Sequence, residues 1–360
     1  MIQITKNTKV YIWANTKQAL GGGPEVLNML AATLKKLGGK AWLFNYAYNQ
    51  YFIRNNYFSN LYDVDTIGAD YIEDSEDNVF VLPEMLVDNF EIFEIFKTRF
   101  KKSKFMIWWL GTGRQNFAPE STSLSFANIF NYLRQYNDRM MHLCESECAL
   151  RNIKHYSPGA PILKFQHGIN NQFFSVPKKC EKENIVLYNA IKGKTRRYVE
   201  NYLIPNAPDI EFRHIDFIDE EHHKTKEQMC EIYDKAKVYV DFCEFDGREM
   251  CPREAAYRKC ILYVDNDTNA ATFEDYPIPN YYKLDKFQDD PNDILNKIRK
   301  SLENYDDELN NFQFFRNKVK SEPIYFFFNV INLFGPMLDE KLIEKYAPDF
   351  TSCYTRSAVQ

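Results

Sequence analysis

Long apolar runs are missing from this chain of 360 residues. None approaches the roughly 20 residues that a membrane-spanning helix needs. The opening stretch from Met1 to Lys6 also lacks the apolar core of a signal peptide, so a cytoplasmic protein is expected, with peripheral membrane association left open. No excess of basic charge is present: a net charge of −5 with 26% charged residues gives no evident basic face, and nucleic acid is not expected as a partner. Eight cysteines are too few for a disulfide framework at this length, and no two have Cys-x-x-Cys spacing, so reduced thiols are expected. Cys144 and Cys148, near His142 and His155, fit no usual zinc spacing, and the acidic pairs Asp63/Asp65 and Asp265/Asp267 are of a kind frequent by chance. No bound metal or cofactor is expected. Internal repeats and low-complexity segments are absent as well.

What the chain does have is aromatic residues, 16% of the total, with 24 Tyr and 29 Phe. Most should fill cores, and exposed aromatic faces are also suited to stacking on sugar rings. The length suits two domains. In the first half, strand-like runs (Lys9 to Asn15, Ala41 to Tyr46, Val79 to Leu82, Phe105 to Leu110, Met140 to Cys144) alternate with helical ones (Pro24 to Leu37, Met85 to Phe100). A segment with Pro158, Pro161, Gly168 and Pro177 breaks this rhythm, and it restarts at Asn184. Strands are then expected over Ile185 to Asn189, Ile210 to Ile215, Val238 to Phe245 and Ile261 to Val264, with helices over Thr195 to Leu203, Glu227 to Ala236 and Pro252 to Lys259. Such alternation predicts an α/β protein of two doubly wound, Rossmann-like domains. The expected limits are 1–177 and 184–320, then a helical segment 321–350 and a flexible tail 351–360.

Ligands of open α/β sheets bind beyond the carboxyl ends of the strands, so the turns there carry the functional candidates. Gly21, Gly22 and Gly23, followed by Pro24 and Glu25, lie between the first strand and the first helix, where free N–H groups can hold a phosphate or a sugar hydroxyl. The pattern is neither a dinucleotide fingerprint nor a phosphate loop. After the strand ending at Asn189 come Lys192 and Lys194, whose ammonium groups could neutralise a diphosphate leaving group. The turn from Asp246 to Glu254 carries two carboxylates together with Arg248 and Arg253. Cys251 is expected as its N-cap and Pro252 as the first helical residue, so that a phosphate would meet the helix N-terminus and both arginines. Trp109 and His167 are further candidates for a cleft.

Taken in order, these residues resemble a known family. Asp246-x7-Glu254 followed by Ala255 and Ala256 is similar to the Glu-x7-Glu motif of retaining, nucleotide-sugar-dependent glycosyltransferases of the GT-B fold. The nearer likeness is to GT-B-like bacterial and viral proteins of surface polysaccharide synthesis, which combine a Gly-Gly-Pro-Glu loop, a Trp-Trp-Leu strand, an Asn-x-x-Lys-Gly loop and a Pro-Arg-Glu-Ala-Ala turn in that sequence. The resemblance implies that Glu254 holds the donor ribose, Asp246 the transferring sugar and Lys192 or Lys194 the diphosphate, with Asn189 and Arg253 also on the donor side and Arg248 beside the chemistry. It implies two domains facing a cleft, an acceptor-side glycine loop and a last helix returning to the first domain. It also implies a nucleotide diphosphate sugar as co-substrate, a glycan or glycolipid acceptor and no metal. Asp246 stands where the family has Glu, and Arg248-Glu249 where Phe-Gly is common. The alternatives are a nucleotide-sugar epimerase of the same fold or a non-catalytic glycan- or nucleotide-binding protein.

Overall fold

The computed structural model describes residues 2–14, 21–45, 57–87, 90–111, 126–175, 181–190, 193–215, 224–243, 245 and 247–355. Contacts divide the chain into one unit of Met1–His167 with Ile324–Gln360 and another of Gly168–Pro323. No helix among the described residues is long and apolar enough to cross a membrane.

The first unit holds strands β1 (Lys9–Trp13), β2 (Lys40–Phe44), β3 (Asn78–Pro83), β4 (Lys104–Trp109), β5 (Met140–Cys144) and β6 (Ile162–Lys164). They form an all-parallel sheet in the order β2-β1-β3-β4-β5-β6. β3 is buried along its whole length and β4 almost so, which is why both read as continuous apolar runs. Aromatic rings dominate the core around them, with Phe80 within 5.2 Å of Tyr11, Phe44, Phe96 and Phe100 by ring centroids. The helix Gly22–Lys36 has Glu25 in its first turn and Lys35 and Lys36 in its last, each complementing the helix dipole. Gly38, at φ +83°, ends the segment that follows it. A Cβ there would lie 3.0 Å from that of Asp339, whose N–H donates to Leu37 O, and Lys36 pairs with Asp349 at 2.7 Å. These contacts seat the helix Glu340–Thr355 on this unit. It covers five residues expected to belong to a tail.

The second unit holds β7 (Glu183–Asn189), β8 (Glu211–Ile215), β9 (Ala236–Asp241), β10 (Ile261–Asp265) and β11 (Lys283–Leu284), again all parallel, in the order β11-β10-β9-β7-β8. Its core includes Ile169 and Phe173. The change between units therefore falls at His167/Gly168 rather than at 177–184. The physical reason is Arg258: buried and paired with Asp234, it also donates to Phe173 O and Ser175 O and so binds that segment to the second unit. β6 falls in the segment where the expected rhythm of strands and helices breaks; its three residues lie between Pro161 and the crossing point and add an edge strand to β5.

Candidate active site

In the second sheet the chain leaves β7 toward β8 on one side and β9 toward β10 on the other, so the carboxyl ends of β7 and β9 form the switch point of the fold. Asn189 ends β7 and Asp241 ends β9. Asp241 is fully buried and accepts hydrogen bonds from Asn189 Nδ2 (2.9 Å), Thr195 Oγ1 (3.0 Å), Tyr239 OH (3.2 Å), Cys243 Sγ (2.8 Å) and Cys243 N (3.3 Å). A carboxylate is tolerated at such a depth only when its oxygens are so supplied. One side chain thus ties the loop after β7 to the loop after β9. Sequence reasoning missed it, because Asp241 was absorbed into a strand expected to run to Phe245. The helix after β7, Gly193–Tyr198, carries Lys194 exposed in its first turn and passes into a π-helical turn, Val199–Leu203. There Glu200 accepts from Tyr188 OH (3.1 Å) and Arg196 Nε (3.0 Å). Lys192 and Asp246 lie outside the described residues.

β9 stops at Asp241, and beyond it Phe245 O accepts from Thr268 Oγ1 (2.8 Å) and Asn269 Nδ2 (2.7 Å). The next helix runs Met250–Tyr257, with Glu249 as N-cap and no side-chain cap. It begins before Cys251, which was expected as the cap. Pro252 is its third residue, where the missing N–H has no intrahelical partner to lose. Both arginines of the turn are withdrawn from solvent, Arg248 at 3% exposure and Arg253 at 0%. Arg253 Nη1 donates to Glu322 Oε2 (2.6 Å) and its Nη2 to Arg248 O (2.7 Å), while Arg248 Nη2 pairs with Glu322 Oε1. The expectation that Arg248 and Arg253 face a phosphate directly is corrected here. Two desolvated guanidinium groups need a carboxylate partner, and Glu322, far along the chain, supplies it. Glu254, 3% exposed, accepts from Tyr233 OH at 3.3 Å. Burial, with Cys251 and Glu254 close by, pushes the Tyr233 phenol well above its usual range and keeps it a donor at neutral pH.

In the first unit the corresponding switch point lies between β1 and β3. Gly21, exposed and extended, precedes the helix whose first residues are Gly22 and Gly23. Among the described residues a Cβ on Gly23 would meet Leu110, at 3.7 Å, an ordinary van der Waals contact. Leu110 N donates to Glu84 Oε2 (3.0 Å), which brings the ends of β3 and β4 beside this turn. Glu25 is buried and accepts from Tyr62 OH at 2.8 Å. Trp109 is a correction: it is 1% exposed, stacked on Phe130 (centroids 5.3 Å, 19°) and donates to His142 Nδ1, as a core residue does. His167 is also withdrawn, at 4% exposure. Its backbone N–H donates to Glu145 Oε2 (3.0 Å), and its Nδ1 lies 2.8 Å from the same oxygen. Among the described residues no group of three or more His, Cys, Asp or Glu side chains could hold a metal ion.

No protein-family profile matches the chain, and no curated protein matches by sequence. Solved structures do. Sucrose-phosphate synthase from Thermosynechococcus elongatus is similar over 97% of this chain and 100% of its own, at 10% identity and TM-score 0.59. The pneumococcal O-GlcNAc transferase GtfA, solved with UDP and GlcNAc, is similar over 96% of this chain and 99% of its own, at 9% identity and TM-score 0.54. The chain spans 57% of S. aureus TarM at TM-score 0.49, too weak a match to bear on the fold. With two parallel sheets of doubly wound order, the fold is α/β and GT-B, of two Rossmann-like units.

Proposed function

We propose that this protein is a glycosyltransferase that moves a sugar from a nucleotide diphosphate sugar to a glycan or glycolipid acceptor in polysaccharide or glycoconjugate synthesis. The observation that carries this reading is the cluster at the ends of β7 and β9, where Asp241 joins Asn189 and Thr195 to the strand that leads into the Arg248, Arg253 and Glu254 turn. The shared fold supports it. In this reading the second unit takes the nucleotide, with Glu254 on the ribose and Asp246 on the transferring sugar, and the glycine turn of the first unit serves the acceptor side.

The bond between the anomeric carbon and the diphosphate oxygen breaks while one to an acceptor oxygen forms, and the acceptor proton leaves to solvent or a base. Negative charge grows on the departing diphosphate. With Arg248 and Arg253 engaged by Glu322, that charge falls to Lys192, Lys194 and the N–H groups that open the Met250–Tyr257 helix. No metal is needed in this account, and the setting is cytoplasmic. The test is transfer from a panel of UDP-, GDP-, CDP- and dTDP-sugars by wild type and by the Lys192→Ala, Lys194→Ala double variant. Turnover with the preferred donor should fall about 100-fold or more in the variant. Unchanged turnover would sink the reading of the lysine loop, and no transfer or hydrolysis of any donor by wild type would sink the function.

A further inference from the structure

We propose that Glu322 is a positioning residue for the donor turn, and that Gly168 sets where Glu322 stands. The inference rests on the donor-site reading above. Glu322 is 3% exposed, and its two oxygens serve two different guanidinium groups, Oε1 that of Arg248 and Oε2 that of Arg253 at 2.6 Å. Arg253 in turn donates to the backbone on which it sits, through Nη2 to Arg248 O and through Nε to Glu249 O (3.1 Å), and Tyr276 OH donates to Glu249 O (3.1 Å). The carbonyls that lead into the Met250–Tyr257 helix are therefore held through Arg253 by Glu322. Glu254 is the next residue of that helix.

Glu322 itself is fixed from behind. It precedes Pro323 inside the helix Gln313–Phe334, where proline removes one backbone hydrogen bond and leaves the helix locally dependent on its packing. That packing is Gly168: a Cβ there would lie 3.0 Å from Pro323 N, 3.2 Å from Pro323 Cδ and 3.3 Å from Glu322 C. Gly168 and Pro323 are the first and last residues of the second unit. The points where the chain enters and leaves that unit thus touch, and from that contact one carboxylate reaches the donor turn. A shift of the exit helix by a few tenths of an ångström would be passed to Arg248 and Arg253, since a charge-assisted pair between buried groups tolerates little displacement.

The experiment measures UDP, GDP, CDP and dTDP affinity by calorimetry at a temperature where circular dichroism shows every variant folded. Glu322→Gln removes the charge without changing shape, and Gly168→Ala displaces the exit helix without touching a charged group. Each should weaken the preferred diphosphate about 10- to 100-fold, the scale of a misplaced site residue. Glu322→Asp, which keeps the charge, should fall between Glu322→Gln and wild type. Asp234→Asn breaks a separate buried arginine pair of this unit, with Arg258, and should lower the melting temperature with wild-type affinity. Wild-type affinity in both Glu322→Gln and Gly168→Ala overturns the inference alone; if Glu322→Gln does not fold, Gly168→Ala and Glu322→Asp decide it by the same criterion. Failure of the wild type to bind any of the four diphosphates overturns the donor-site reading and the inference with it.

Discussion

His142 stands in β5, fully buried, and accepts the indole N–H of Trp109 at Nδ1 (3.0 Å) while its ring lies 5.7 Å from that of Phe130. An indole nitrogen only donates, so Nδ1 must be bare and the imidazole neutral. Protonation would set one N–H against another and place a charge among aromatic rings. Burial accordingly holds the His142 pKa down to about 4, from an ordinary 6.5. The folded pKa is depressed, so the neutral form is the stabilising one, and its contribution is complete above the unfolded value. As the pH falls from 6.5 to about 4 the unfolded chain takes a proton that the folded chain refuses, and stability drops through that window with little further loss from this group below it. At 1.36 kcal/mol per unit the loss is about 3 kcal/mol. The assay is urea unfolding followed by tryptophan fluorescence from about pH 7 to about pH 4, in wild type and in His142→Gln, whose amide oxygen can still accept from Trp109 but does not titrate. Other titrating groups cancel in the comparison. Wild type should lose about 3 kcal/mol more than the variant across this range, and parallel pH profiles would refute the argument.

Three further outcomes are expected. Asp241→Asn turns an acceptor toward donors on Asn189 and Thr195 into a partial donor; it should cost about 2–4 kcal/mol in urea unfolding and weaken nucleotide diphosphate binding, and wild-type values of both would remove Asp241 from the site. Lys182 Nζ donates to Tyr233 O (2.7 Å), Ala236 O (2.7 Å) and Arg258 O (2.8 Å), so Lys182→Met should destabilise the second unit by about 2–4 kcal/mol; a change under about 0.5 kcal/mol would count against that role. Transfer activity should survive EDTA in full, whereas loss restored by magnesium or manganese would end the metal-free account.

Much of the fold was legible in the sequence because strands buried on both faces leave continuous apolar runs and turns after them stand out by contrast. β4, β5, β7, β9 and β10 come from such runs, and Asn189, Lys194, Arg253 and Glu254 fall at or after the carboxyl ends of β7 and β9. What escaped was of another kind. Glu322 is one glutamate in a charged stretch until folding places it beside Arg248 and Arg253. Trp109 was a cleft candidate because it ends a strand; adjacent residues of a strand point to opposite faces, and both faces are buried here, Trp108 and Trp109 alike.

Periodicity and turn chemistry act over a few residues, and they determined that this is an α/β chain of two doubly wound units with a carboxylate- and lysine-bearing pair of turns at one sheet edge. Charge pairing in a low-dielectric interior acts between residues far apart in the chain, and only the tertiary structure could decide it. That pairing engaged Arg248 and Arg253 with Glu322, made Asp241 the junction of the two loops, and moved the unit boundary to Gly168 by tying Phe173 and Ser175 to Arg258.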